Sequence, residues 1–211
     1  MTEPTDPVLW KEPTQERGRK RVAAILHAVR AQIIEAGHLD FKMASVAEEA
    51  GVPIGSVYQF FPTRTALLAC LFAKEMEPID RSLREALDCV ETLEAFSDHM
   101  AGLLRTHAKL VREAPVLAIL LTSPGQHPAI QAADLKNSQA NADSIASRLL
   151  ELAGPSADEA AIRNTSLLVC HLWGEVIRLE GLVSDVSSTN AMVDAFGAMI
   201  RTRFEELLLR G

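Results

Sequence analysis

Aromatic residues are scarce in this chain, at 5% of 211 residues, and cysteines are few and scattered. Cys70, Cys89 and Cys170 are odd in number and form no CxxC pair. That excludes a disulfide framework or cysteine zinc site and leaves free thiols in a reducing compartment. No segment alternates apolar and polar residues for long enough to make a sheet. No internal repeat or low-complexity linker occurs. The acidic, proline-broken start MTEPTDPVLWKEPTQE has no basic-then-apolar pattern, so no export is expected and a cytoplasmic protein is. The apolar run 167–183 is broken by His171, Glu175, Arg178 and Glu180, which argues against a membrane span. No HxxxH spacing, nucleophile elbow or phosphate loop is present, so neither a metal, a cofactor nor an enzyme is implied.

What remains is rich in Ala and Leu. With 48% apolar residues the chain is globular, and glycines and prolines stand singly, as helix punctuation. The expected class is all-α, with about nine helices. The first runs from Thr14 to Ala36, with Val22, Ile25, Leu26, Val29, Ile33 and Ile34 as its apolar stripe and Gly37 as its stop. A short second helix spans Met43 to Ala50, with Asp40 as its candidate cap. The third spans Ile54 to Phe61 and ends at Pro62. Thr63 caps a fourth helix that starts at Arg64, reaches at least Met76, and is kinked or ended by Pro78. Further helices are expected at 93–113, 115–122, 128–153, 157–182 and 191–210. Ser156 with Glu159 would form a capping box. Breaks are expected at Ala114-Pro115, Ser123-Pro124-Gly125, Gly154-Pro155 and the run SDVSSTN. The division expected is a flexible tail at 1–16, a helix-turn-helix domain at 17–63 and a larger helical domain at 64–211.

The stretch AGVPIGSVYQFF at 50–61 carries the functional argument. It reads as the turn and second helix of a helix-turn-helix, an element that fits a DNA major groove. Val57 and Phe61 are four apart and pack inward against Val46 and Ala47. Ser56, Gln59 and Phe60 then share the opposite face, with Ile54 and Tyr58 along a flank. Gln59 can pair with adenine and Ser56 with either kind of base edge. Ile54 or Phe60 suits a thymine methyl. Gly55 allows a close backbone approach. Pro53 opens the helix, and Ser45, Lys42 and Tyr58 are backbone-contact candidates. Arg64 places a cation against the helix dipole, a cost relieved by an anion such as a phosphate. Arg17, Arg19, Lys20 and Arg21 are further phosphate candidates.

Charge is distributed accordingly. The chain carries −7 in all, yet residues 17–75 hold eight Lys/Arg against five Asp/Glu, while 76–211 hold twelve against nineteen. The basic excess coincides with the helix-turn-helix candidate. From these residues alone two readings stand. One is a DNA-binding regulator; the other is a helical small-molecule-binding or scaffolding protein with a vestigial helix-turn-helix.

Residues 21–68 resemble the DNA-binding domain of the TetR family of bacterial transcriptional regulators. The resemblance rests on Arg21 and the stripe of the first helix, Gly37, Val46-Ala47, Ala50-Gly51-Val52, Gly55-Ser56-Val57-Tyr58, Phe61 and Leu67-Leu68. Three positions depart from the family pattern. Arg64 stands where many members have Lys, Phe41-Lys42 where a Thr or Ser is usual, and Pro53 where Ser is frequent. The resemblance implies a double-stranded DNA operator, a small-molecule effector held among the middle helices, and a homodimer through the last two. It implies a repressor released from a near-palindromic operator when an effector binds, and the apolar content suggests that this effector is a hydrophobic or amphipathic small molecule. Polar residues in apolar surroundings give the pocket candidates His99, His107, His171, Glu175 and Arg178, with Met100, Leu103 and Leu120 beside them. The last two helices are apolar on most sides, so Leu168, Leu172, Val176, Met192, Phe196, Met199 and Ile200 are candidates for the dimer interface.

Overall fold

The computed structural model describes residues 10–122, 127–182 and 186–209. Among them are nine helices and no strand: α1 Glu16–Ala36, α2 Met43–Glu49, α3 Ile54–Phe60, α4 Arg64–Asp88, α5 Leu93–Glu113, α6 Pro115–Thr122, α7 Pro128–Ala153, α8 Glu159–Leu182 and α9 Val186–Leu209. The break expected at Ser123-Pro124-Gly125 lies outside the described residues, as do residues 1–9 of the tail and Arg210.

Local chemistry accounts for most boundaries. Gly37 ends α1 in the left-handed region at φ 70°, with its N–H donated to Ile33 O at 2.9 Å. Thr63 caps α4 by accepting the Ala66 N–H at 3.1 Å, and Thr92 caps α5 in the same way. Four expectations are corrected. Asp158, not Ser156, caps α8, accepting from Ala161 N–H at 2.9 Å. Asp40 does not cap α2, which begins without a side-chain cap. The Val186–Asn190 part of the SDVSSTN run is helical, so α9 starts earlier than expected. Pro78 does not end α4, which continues ten residues beyond it to Asp88. Its ring is exposed, where water can replace the missing N–H hydrogen bond.

Contacts divide the chain into two compact units. The first comprises the described parts of 1–75 and 115–134; the second comprises Met76–Ala114 and the described part of 135–211. In the first unit α1 packs on α2, α3 and α6, and α2 packs on α3. Its buried side chains include Ile25, Val29 and Ile33 of α1, Val46 and Ala47 of α2, Val57 of α3, Phe61, and Leu67, Leu68 and Leu71 of α4. Arg30 and Glu75 pair across α1 and α4, with Arg30 Nε 2.8 Å from Glu75 Oε1.

The second unit is built on α5, α8 and α9, which contact one another pairwise. Its core joins Leu83 and Leu87 of α4, Phe96, Met100 and Leu104 of α5, Ile145 and Leu149 of α7, Ile162 of α8, and Val193, Ile200 and Phe204 of α9. Phe96 and Phe204 meet edge to face at 5.3 Å. Asp80 receives the side-chain N–H groups of Asn137 and Asn141, each at 2.9 Å, which fastens α4 to α7. Among the described residues no helix is long and apolar enough to cross a membrane.

Candidate nucleic-acid interface

The short third helix is held from one side and open on the other. Val57 is fully buried and Phe61, just past the helix end, is too. Gly51, at φ 64°, makes the turn that brings α3 back across α2, and Val52 N–H reaches Ala47 O at 3.0 Å. Ser56 N–H bonds Pro53 O at 2.8 Å, closing the first turn.

The exposed face is formed by Pro53, Ile54, Gly55, Tyr58 and Gln59, with Ser56 half-buried. Tyr58 is 49% exposed and Ile54 42%. Phe60 is the correction: it was expected beside Ser56 and Gln59, but it is only 8% exposed. Its ring lies within 3.6 Å of the place a Cβ would occupy on Gly18 of α1. Phe60 therefore packs, and a thymine methyl has no access to it. At Gly55, which is exposed, a Cβ would meet no packed neighbour within 4 Å. Its missing side chain leaves room on the open face and is not required by any packing inside the protein.

Arg64 is engaged within the chain. Its Nη2 donates to Leu39 O and to Asp40 Oδ1, both at 2.6 Å, and its guanidinium lies over the Phe41 ring at 5.0 Å. The anion that a cation in this first turn calls for is Asp40. The Arg64 hydrogen bond, and then its charge, hold the Asp40 carboxyl below the ordinary carboxylate range. Arg64 is thus a clamp between the start of α4 and the segment joining α1 to α2, not a free phosphate contact. Lysine keeps the charge but lacks the planar guanidinium that lies over Phe41 while its Nη2 donates to both acceptors. Arg64→Lys should therefore lower stability, read as a reduced urea midpoint at unchanged slope.

The remaining cations are more available. Arg17, Arg19 and Lys20 are exposed along the first turns of α1 and Arg21 is half-buried; Lys20 pairs with Glu16 at 2.9 Å on the surface. Lys42 is exposed just before α2. Ser45, also exposed, accepts from Gln32 Nε2 at 3.2 Å, a link between α1 and α2.

The expected flexible tail differs in its described part. Trp10 stacks on Phe61 with ring centres 6.0 Å apart, and Lys11 N–H donates to Phe60 O at 3.0 Å. The signal in the sequence was the pair of tandem phenylalanines, which has more apolar surface than one helix face can bury.

In the second unit the pocket candidates separate. His107, Met100 and Leu103 are buried, and His107 Nε2 lies 2.8 Å from Ser82 Oγ. Leu120 is buried in the first unit. His99, His171 and Glu175 are exposed and so are corrected as lining residues. His99 Nδ1 bonds its own helix at Ala95 O, and Arg178 pairs with Glu175 one turn away. Burial pushes the Cys70 and Cys170 thiols up to about 12, which leaves neither as a thiolate.

The interface candidates separate as well. Leu168 is 57% exposed and Met199 67%, and Leu172 is exposed with them. Val176 and Met192 are half-buried. Phe196 and Ile200 belong to the unit's own core, Phe196 stacking on Trp173 at 6.2 Å, and are corrected as surface residues.

Comparison with known proteins agrees with this architecture. Residues 25–71 match the family model described as bacterial regulatory proteins, tetR family. Residues 91–207, more than half of the chain, match the tetracyclin repressor-like C-terminal domain. The HTH-type transcriptional repressor KstR of Rhodococcus jostii is 39% identical over 66 residues, and KstR of Mycolicibacterium smegmatis 37% over 65. Those matches span 31% of this chain and only 30% and 32% of the two repressors. A TetR-family regulator from Streptomyces coelicolor has a similar fold, with a TM-score of 0.64 at 18% identity over 89% of this chain and 99% of its own. The fatty acid degradation regulator FadR of Bacillus halodurans gives 0.63 at 15% identity over 90% and 96%. With a helix-turn-helix of this geometry and both family segments in order, the chain belongs to the TetR family of bacterial transcriptional regulators.

Proposed function

We propose that the chain is a homodimeric repressor that binds a near-palindromic operator and releases it when a small molecule occupies the second unit. The observation that carries the DNA-reading part is the open face of α3. Ile54, Tyr58 and Gln59 project from a helix whose other side is fixed by Val57, Phe60 and Phe61. Gln59 is the base reader, matched to adenine, with Ser56 at the edge of the same face. Gly55 lets a groove wall approach the helix start, and Tyr58 with Lys42 and the cations of α1 hold phosphates.

Dimerisation is assigned to the exposed apolar residues of α8 and α9. Leu168 and Leu172 are one turn apart, Leu179 continues their line, and Met199 is the most exposed large apolar side chain on α9. An apolar face of this kind on a soluble monomer is costly, and a second copy would cover it. The effector is assigned as amphipathic. Trp173 Nε1 and Ser166 Oγ are buried polar atoms without a hydrogen-bond partner. Leaving such a group unpaired costs about 1–3 kcal/mol, which a ligand acceptor would recover. For release, the effector must favour the DNA-incompetent state.

The test is a fluorescence-anisotropy titration with duplex DNA from upstream of the chain's own coding sequence. Salt-dependent binding that resists non-specific competitor is expected. Binding that competitor abolishes would reject the proposal and favour a helix-turn-helix without a DNA role. Gln59→Ala should leave the unfolding midpoint unchanged and relax preference at one base pair per half-site, by about 1–3 kcal/mol of discrimination. A preference profile identical to that of the parent would remove Gln59 from the reading set.

A further inference from the structure

Residues 10–13 form a strap across the end of the reading helix. Trp10 covers Phe61, and Lys11 N–H takes the Phe60 carbonyl, one of those that a helix C-terminus leaves without an internal donor. Pro13 closes the strap against α1. A Cβ on Gly18 would come within 2.8 Å of Pro13 Cβ, so glycine at that position is what permits the approach. Beside the strap is an open cleft of about 380 Å³. Lys11 forms part of its wall together with Arg17, Arg21 and Gln59, and Glu12 is its one carboxylate.

We propose that this cleft seats one sugar-phosphate strand of the operator duplex, with Lys11 as a phosphate contact that the strap holds in place. Three cations against one carboxylate suit a polyanion. Gln59 belongs both to the cleft wall and to the open face of α3, so the cleft is continuous with the face that would read the bases. A phosphate strand passing Lys11, Arg17 and Arg21 would set the register of the duplex against Gln59. Sequence information stays with α3, and the strap supplies affinity and alignment. The inference rests on the proposed DNA-binding function and adds to it a contact outside the helix-turn-helix.

The experiment uses the full-length protein and a duplex enriched by the parent protein from a random pool. The logarithm of the binding constant is followed against the logarithm of salt concentration for the parent, Lys11→Gln, Lys11→Arg and Trp10→Ala. Lys11→Gln keeps the backbone N–H and should reduce the steepness of the slope by about 1.8 for the proposed dimer, the share of one phosphate contact in each half-site, with equal loss on a scrambled duplex. Lys11→Arg should restore the slope. Trp10→Ala should lose the same increment, because an unfastened strap no longer presents Lys11. If Lys11→Gln leaves the slope unchanged while the parent binds, the cleft proposal is overturned and the DNA-binding reading survives. If Lys11→Gln loses the increment but Trp10→Ala keeps it, the holding role of the strap is overturned. If the parent binds no duplex, both readings fall.

Discussion

Phe61→Ala should disassemble the reading head and abolish DNA binding with it. Phe61 is fully buried, its N–H is donated to Val57 O at 2.8 Å, and Trp10 lies over its ring. Removing a buried phenylalanine ring costs roughly 3–5 kcal/mol, through lost transfer energy and the cavity left behind. A domain's whole stability is roughly 5–15 kcal/mol, so one substitution would consume a large part of it. The readout is urea unfolding in a Trp173→Phe background, where Trp10 is the remaining tryptophan and reports on this site. A midpoint equal to that of the background would show that Phe61 does not hold the head together. Tyr58→Ala is the matched control. Tyr58 is exposed, and its loss should change stability by no more than about 0.5 kcal/mol.

The second large effect is on the acid side. His107 is only 4% exposed, and burial pushes its pKa down from 6.5 to about 4, opposed in part by the backbone of Ile79. Ser82 Oγ donates its proton to Ile79 O at 2.8 Å, so the Nε2–H of a neutral His107 is the donor to Ser82. The folded state therefore binds this proton less readily than the unfolded chain does. Its contribution is complete above pH 6.5 and is lost as the pH falls from 6.5 towards 4. The full loss is about 3 kcal/mol. His107→Gln, neutral at every pH, should flatten the stability profile across that window, measured by urea midpoints at successive pH values. Parallel profiles for the variant and the parent would refute a buried neutral histidine at this place.

Much of the fold was legible because its punctuation is local. Gly37, Pro62, Thr63, Pro115 and Gly154-Pro155 each act on their own backbone, and the helices end or begin beside them. What sequence reading missed depends on residues far apart in the chain. Periodicity places Val57 and Phe61 on one face of α3 and leaves Phe60 beside it. Phe60 packs at Gly18, far back on α1, and Phe61 is covered by Trp10 of the strap, outside any helical repeat. The electrostatics of Arg64 correctly asked for an anion, but the one present, Asp40, lies 24 positions earlier and had been given a capping role. On α9 apolar residues occur on every side. Their period does not distinguish Phe196 and Ile200, which turn inward, from Met199, which turns out. Tyr58 and Gln59 were legible as exposed candidates because Val57 fixes the opposite face.

The inclusion of α6 in the first unit has a consequence for the order of events during synthesis. The family segment at 25–71 is contiguous, but the compact unit around it also draws in the described part of 115–134. α1, α2 and α3 leave the ribosome long before α6, the helix that α1 packs against. Domains generally fold as units while the chain emerges. Here the head stays incomplete until nearly two-thirds of the chain has been made. A nascent chain would pass through translation with α3 already held by α1, α2 and the strap, while the face of α1 that α6 covers stays bare until the second unit is itself being produced.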